Sequence, residues 1–321
     1  MKEFEKIIKE DINLFDKKFK NILSSKATLL YKVNSYLIKQ RGKRIRPICT
    51  IIASGLANNI TSQTFRAAVL IELLHTATLI HDDIVDDAHI RRSTFSINTI
   101  WKNKVAVLSG DYFLAKGLSL AVENKDYEIL MFISNVVEKI VEGELLQIEK
   151  TKKLNLTEDE YFKIIKLKTA SLFECAFQVG AMSNKKANPN LEQIINLGLM
   201  IGNIFQIKDD ILDYRPTQFI GKNTGSDIKE GKINLPLLYA LKTMPVNQKK
   251  QVFKVLRKKT NTLKEIISIQ NIVINNYGIV EAENKMMSYY NNAMKILSLF
   301  EETKYKNAAK LMLKFLISRN K

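Results

Sequence analysis

Apolar residues recur at spacings of three and four along almost the whole chain, as in Phe4, Ile7, Ile8, Ile12, Phe15 and Phe19 at one end and Val252, Val255 and Leu256 near the other. That period lines one face of an α-helix, whereas a half-buried strand needs strict alternation. Sustained alternation is missing, and five prolines with twelve glycines are too few for the frequent turns of a β-rich chain. The fold class is therefore read as all-α. Breaks near residues 24–25, 41–42, 57–61, 88–94, 154–157, 184–190, 214–234 and 244–247 divide the chain into roughly ten or more helices. Residues 67–80 and 191–211 are apolar round most of the helix and are expected to be central. The connection at 214–234 carries Pro216, Gly221, Gly225 and Gly231, and so long an irregular stretch in a helical chain is usually functional or disordered. With no low-complexity linker or internal repeat, residues 1–321 are read as a single domain.

Lys and Arg number 50 against 33 Asp and Glu, a formal net charge of +17. Such an excess attracts polyanions, phosphorylated substrates included, but a lysine-rich surface also simply keeps a protein soluble. The scarce residues say more. Nine of the 50 are Arg, five of them at 41, 44, 46, 91 and 92, and the three histidines are His75, His81 and His89. Cys49 and Cys175 lie far apart in apolar helical segments, as buried thiols of a reducing compartment do. Residues 1–19 are amphipathic and of mixed charge, unlike a secretory signal, and no apolar run reaches the ~18–20 residues of a membrane span. The expected location is the cytoplasm. No nucleic-acid-binding motif is present, so charge alone does not support that role.

Specific chemistry is concentrated in two acidic segments. In His81-Asp82-Asp83-Ile84-Val85-Asp86-Asp87, Asp82 and Asp86 stack one turn apart on a helix, as do Asp83 and Asp87. Asp209-Asp210-Ile211-Leu212-Asp213 repeats the spacing with Asp209 and Asp213. Either segment alone would pass as a solvated helix end. Two at the ends of apolar helices point to a hard cation such as Mg2+, which relieves carboxylate repulsion and bridges to substrate phosphates. Around them are phosphate-binding cations: Gly42-Lys43-Arg44-Ile45-Arg46-Pro47 opens a helix, Arg91-Arg92 follows the first acidic segment, and Lys168-Thr169, Lys222 and Lys232 lie further on.

In this order and with these flanks the chain resembles the trans-type polyprenyl diphosphate synthases from end to end. The matching segments are GKRIRP (42–47), ELLHTATLIHDDIVDDAHIRR (72–92), LSGDYFLAK (108–116), EGELLQ (142–147), KTASLF (168–173), FQIKDDILDY (205–214) and GSDIKEGKINLP (225–236). The resemblance implies a helical bundle around a deep central cavity, usually a homodimer. It implies that Asp82 and Asp86 bind two Mg2+ ions and Asp209 a third, supported by Asp83 and Asp213, with Mn2+ as an alternative metal. Those ions with Arg91, Lys168, Lys222 and Lys232 would grip the diphosphate of an allylic substrate such as farnesyl diphosphate. Lys43, Arg46, His75 and Arg92 would hold isopentenyl diphosphate, and Thr169 and Gln206 would face the allylic cation. Without the resemblance, His75 reads as a core histidine; its place seven residues before Asp82 puts both on one face.

Product length in such enzymes follows the room below the first acidic motif, where a bulky aromatic four or five residues before it stops the growing tail. Thr78 and Ala77 are small, so a long all-trans product of about eight isoprene units is expected, suited to a quinone side chain, with Phe132 and Met131, or else Leu74 or Ile71, as the far wall. Release of so apolar a product would bring transient membrane contact. Arg41, Ser93 and Asn234 depart from the usual glycine, glycine and threonine, and Lys208 is unusually charged for its place. The alternatives are a short-chain synthase making farnesyl or geranylgeranyl diphosphate, a terpene cyclase, and a non-catalytic subunit of a heteromeric synthase. A cyclase has no use for the cluster at Lys43, Arg46 and Arg92, and a non-catalytic subunit tends to lose the acidic motifs that are intact here.

Overall fold

The computed structural model describes residues 2–40, 42–58, 60–91, 94–183, 190–215, 225–258 and 260–320, and within them the chain is helical almost throughout. In chain order the first helices are α1 (Glu3–Ile7), α2 (Lys9–Ile22), α3 (Thr28–Lys39), α4 (Ile45–Leu56), α5 (Ser62–Val85) and α6 (Ile97–Glu123). They are followed by α7 (Tyr127–Lys153), α8 (Glu158–Ile165), α9 (Ser171–Met182), α10 (Leu191–Asp213) and the short α11 (Ser226–Lys229). The last are α12 (Leu235–Thr243), α13 (Val246–Leu256), α14 (Leu263–Asn275), α15 (Gly278–Ser298) and α16 (Lys304–Ser318). A π-helical turn, Lys166–Ala170, joins α8 to α9.

The all-α class follows from the periodicity, with two local departures. Strands β1 (Ile90–Arg91) and β2 (Thr94–Phe95) pair antiparallel, Ile90 opposite Phe95 and Arg91 opposite Thr94. Two residues per strand are too few to write an alternating pattern. The connection predicted to be irregular at 214–234 holds α11, which starts at Gly225 with φ 79°. Several helix starts are set by capping side chains. Thr61, Thr157 and Thr262 each accept the backbone N–H three residues on, at 3.4, 3.3 and 3.3 Å. Each such cap is worth about 1 kcal/mol. Asn234 caps α12, whose second position is the helix-tolerant Pro236.

Contacts divide the chain into two compact units, each assembled from three separate stretches. The first comprises Met1–Asn135, Cys175–Gly198 and Phe300–Ala309. At its core α4 is buried from Pro47 to Leu56, including Cys49, whose thiol burial pushes well above its ordinary pKa. Cys49 and Cys175 are both buried and form no disulfide. The hydroxyls of Ser54, Thr64 and Ser183 satisfy one another inside this core, at 2.7 to 3.3 Å.

Small residues let α6 lie close against α5. Ala106, Ser109, Gly110, Phe113, Gly117 and Ala121 form its buried face. Gly110 meets the ring of His81, and a Cβ added there would stand 2.2 Å from His81 Nε2. The opposite face leaves Val107, Leu108, Leu118 and Val122 exposed. The sequence shows no unbroken apolar run, because Asp111 and Lys116 interrupt it, yet α6 is long and apolar enough to cross a membrane by length and composition, with a mean hydropathy of 1.4 in its best window.

The second unit comprises Val136–Glu174, Leu199–Leu299 and Lys310–Lys321. Its core gathers Tyr214, Ile228, Leu237, Met244, Val252 and Ile269. Gly278 lets α15 begin against α12, since a Cβ there would lie 2.2 Å from the Pro236 carbonyl oxygen.

Candidate active site

In the first unit α5 carries the first acidic motif to its C-terminal end. Asp82 is half-buried and Asp86, the last cap of the helix, is exposed. Asp83 is buried and committed elsewhere: its Oδ1 accepts from Arg91 Nε at 2.5 Å, and its carbonyl accepts from Ala88 N–H at 2.8 Å and Asn98 Nδ2 at 3.2 Å. The Asp83 carboxylate thus fixes the β1 strand, while Asp82 and Asp86 occupy the open helix end.

Nearly two turns below Asp82 on α5, His75 Nε2 accepts from Arg46 of α4 at 2.9 Å. A guanidinium cannot accept, so Nε2 is the acceptor and the ring proton sits on Nδ1. Arg44, at φ 47°, starts α4 from a left-handed turn. Its guanidinium pairs with Asp16 and lies over the rings of Phe15 and Phe19, 5.5 and 5.4 Å from their centroids. That anchor leaves Lys43 exposed beside it. A cavity of about 60 Å³ is lined here by Gly42, Arg44, Glu72, His75, Asp83 and Arg91. On α5 Ala77 is fully buried, and Thr78 turns its hydroxyl back to the His75 carbonyl at 3.0 Å. Phe132 is half-buried on α7, and Met131 is exposed.

The second unit holds the second motif and a larger cavity of about 140 Å³, lined among others by Lys168, Thr169, Gln206, Asp210, Asp227 and Lys232. The π-turn presents Lys168 and Thr169 together, a use to which such turns are often put. Two glycines make room for it: a Cβ on Gly143 of α7 would lie 2.9 Å from Lys168 N, and one on Gly202 of α10 would lie 2.5 Å from Ala170 Cα. Lys168 Nζ pairs with Glu144 at 2.6 Å and Gln147 Oε1 at 2.7 Å. Thr169 donates to Gln206 Oε1 at 2.8 Å. Lys232 pairs with Glu230 at 2.5 Å.

The three acids of this motif do different work. Asp209 pairs with Arg319 at 2.7 Å. Asp210 is buried, accepting from Gln206, Tyr161 and the Leu235 N–H. Asp213 accepts the N–H groups of Gly225, Ser226 and Asp227, and so organises the start of α11. Burial, reinforced by Asp227, pushes the Asp210 carboxyl above its usual range, and burial with Asp213 does the same to Asp227. Burial also raises Asp213, against the donors that favour its charged form, and burial next to Arg215 lowers Lys208. Sequence reasoning missed Tyr161, Asp227 and Arg319. Arg319 had a signal, being one of nine arginines in a lysine-rich chain. Tyr161 had none, since an aromatic residue on an apolar helix reads as packing.

Arg92 and Lys222, and the departures at Arg41 and Ser93, lie outside the described residues. His81 lies 3.6 Å from Asp111 and the His89 carbonyl accepts from the Thr99 hydroxyl at 3.1 Å, while Trp101 packs edge-on against Tyr36 with centroids 5.3 Å apart.

The donor set suits a hard divalent cation. Asp82 and Asp86 offer oxygen only, one turn apart at an accessible end. Among the described residues no three or more His, Cys, Asp or Glu side chains form a ready cage. A few carboxylates completed by substrate phosphates is the usual way Mg2+ is held.

Residues 27–273 match the family described as Polyprenyl synthetase. An all-trans-nonaprenyl-diphosphate synthase (geranyl-diphosphate specific) from Rhodobacter capsulatus is 33% identical over 305 residues, 94% of this chain and 92% of that protein. A polyprenyl synthase from Caulobacter crescentus CB15, solved with calcium and isoprenyl diphosphate, superposes with a TM-score of 0.93 at 29% identity, over 99% of this chain and 97% of that one. A geranylgeranyl pyrophosphate synthase from Bacteroides thetaiotaomicron is 35% identical with a TM-score of 0.84, covering 98% and 99%.

Proposed function

The chain belongs to the polyprenyl synthetase family and is a trans-prenyltransferase, and from that premise we propose that it extends an allylic diphosphate such as farnesyl diphosphate with isopentenyl diphosphate, over and over, to an all-trans product of about eight isoprene units. The observation that carries the long product is at Ala77 and Thr78. Ala77 is fully buried without a bulky side chain, and Thr78 is folded onto its own helix by its bond to the His75 carbonyl. Neither blocks a tail running along α5. The similar proteins span both product classes by name, nonaprenyl and geranylgeranyl, so a short-chain product is the competing reading.

Asp82, Asp86 and Asp209 would hold the metal, with Asp83 and Asp213 fixing the segments around them. When bound, Mg2+ supplies positive charge to a diphosphate leaving group; three ions are expected, and Mn2+ can replace them. Lys168, Lys232, Arg91 and Lys222 add positive charge of their own to the allylic diphosphate. Lys43, Arg46, His75 and Arg92 hold the diphosphate of isopentenyl diphosphate, with the His75 ring oriented by its bond to Arg46. The allylic C–O bond breaks with its electron pair leaving on diphosphate. Thr169 and Gln206 face the cation, the isopentenyl double bond attacks it, and a proton is lost to the released diphosphate.

The whole chain acts as one functional domain in this reading. A second copy covers the apolar face of α6 formed by Val107, Leu108, Leu118 and Val122, giving a homodimer, and the apolar product leaves through transient contact with a membrane. A quinone side chain is its destination. Chromatography of products from farnesyl and isopentenyl diphosphates tests the length. A ladder ending near forty carbons is expected, and Ala77→Phe shortens it; products stopping at fifteen or twenty carbons in the wild type favour the short-chain reading.

A further inference from the structure

Four hydrogen bonds link the floor of the second unit's cavity into one directed chain. Thr169 Oγ1 donates to Gln206 Oε1 at 2.8 Å, and Gln206 Nε2 donates to Asp210 Oδ1 at 2.9 Å. The Asp210 Oδ2 atom accepts from the Tyr161 hydroxyl at 2.6 Å and from the Leu235 N–H at 3.2 Å. Asp210 is 3% exposed, and Tyr161 equally buried.

The direction of this chain matters more than its existence. A glutamine amide fits a site almost equally well either way round, since its oxygen and nitrogen ends have the same shape. Asp210 Oδ2 is taken up by the Tyr161 hydroxyl and the Leu235 N–H, and Oδ1 receives the NH2 end of Gln206, which leaves the carbonyl end toward Thr169. The Thr169 hydroxyl then spends its hydrogen on Gln206. What it has left for the cavity is lone pairs. If the chain ran the other way, Thr169 would turn an O–H, with its positive end, toward the same space.

We infer that Tyr161 and Asp210 are positioning residues that set the polarity of Gln206 and Thr169, so that electron density rather than an O–H dipole meets the allylic cation. This rests on the function proposed above. Dipoles fixed before the charge forms stabilise it without reorganisation, which is where such groups earn most of their effect. It also separates the adjacent acids of the motif: Asp209 for the metal, Asp210 for the orientation of its neighbours.

Two variants of the full-length protein test it. Asp210→Asn keeps the shape but supplies an NH2 that can donate to Gln206 and reverse the chain. Tyr161→Phe removes one of the donors that hold Asp210 in place and leaves every acidic residue intact. Single-turnover rates are measured with farnesyl diphosphate and with an analogue carrying fluorine beside the ionising carbon, which withdraws electrons from the cation; Mn2+ binding is measured separately. For Asp210→Asn the expected rate loss is about 100-fold, the size seen when one preorganised dipole is lost, with KM for both substrates and Mn2+ affinity little changed. The fluorine penalty should grow in both variants, more in Asp210→Asn, an effect that a merely loosened fold would not produce. An unchanged fluorine penalty in Tyr161→Phe and in any folded Asp210→Asn overturns the inference while leaving the prenyltransferase reading intact. Loss of Mn2+ binding in Asp210→Asn also overturns it, making Asp210 a metal ligand. If the wild type makes no prenyl product, the function itself fails and this inference with it.

Discussion

Arg319 and Asp209 are paired at 2.7 Å, although 110 positions separate them in the chain. The guanidinium is buried, also donates to the Phe205 carbonyl at 2.9 Å, and lies 4.4 Å from the centroid of the Phe205 ring. A cation arriving at Asp209 must compete with this partner. Arg319→Gln is therefore expected to tighten Mn2+ binding in the absence of substrate, by roughly three- to tenfold, since one charge-assisted bond is worth about 1.5–3 kcal/mol and only part of it opposes the metal. The same change should lower Tm by several degrees. Electron paramagnetic resonance titration and a thermal melt read both; weaker Mn2+ binding would mean that Arg319 holds Asp209 ready for the metal.

Gly110 and His81 form a close pair that a double-mutant cycle can isolate. Gly110→Ala places a methyl within 2.2 Å of the His81 ring, and overpacking of this kind costs about 1–3 kcal/mol. His81→Ala in the same chain should recover most of that loss in chemical denaturation. Purely additive effects would show that the glycine serves its own helix instead.

Lys168 is presented by the π-turn and shielded by Glu144 and Gln147. Lys168→Met should lower kcat by about 10²–10³, the scale for losing one fixed charge beside a leaving group, with little change in KM for isopentenyl diphosphate. Rapid-quench kinetics on a single condensation separates the two.

The buried carboxyls give the metal-free protein a definite pH response. Asp210 and Asp227 have folded pKa values raised above the unfolded value of about 3.9. Between the unfolded and folded values the folded chain binds more protons, so stability falls as pH rises through that interval. Glu160 and Glu265, held down to about 2 mainly by Lys150 and Lys258, work in the opposite direction, but only below about pH 4.5. Urea midpoints of the metal-free protein should therefore fall above that pH, and Asp227→Asn should flatten the decline. A midpoint that rises with pH over the same range would refute it.

Helices were legible because their period is written residue by residue, and the acidic segments because two copies of one spacing stand at helix ends. What the sequence hid were relationships across distance. Nothing near Asp83 says that Arg91 will bind it, and nothing near Tyr161 says that its hydroxyl will reach Asp210, 49 positions on. The β1–β2 hairpin was too short to leave a pattern. The hydropathy of α6 was masked by Asp111 and Lys116, although its small-residue face explains the glycines of that segment. Gly143 and Gly202 were present in the apolar text without a reason until the π-turn beside them supplied one.

That π-turn has a consequence for how this chain can change length. A π-turn accommodates one more residue than the α-helical turn it replaces, so deleting one residue from Lys166–Ala170 would return the helix to ordinary α-geometry. The helix would survive. Because the turn had absorbed that extra residue, the helices on either side would keep their bearings, but Lys168 and Thr169 would lose the wide turn that presents them together. Surface connections of this chain can gain or lose residues at little cost. Here a deletion acceptable to the backbone would still disconnect the chemistry, and length at this point is fixed by function before it is fixed by folding.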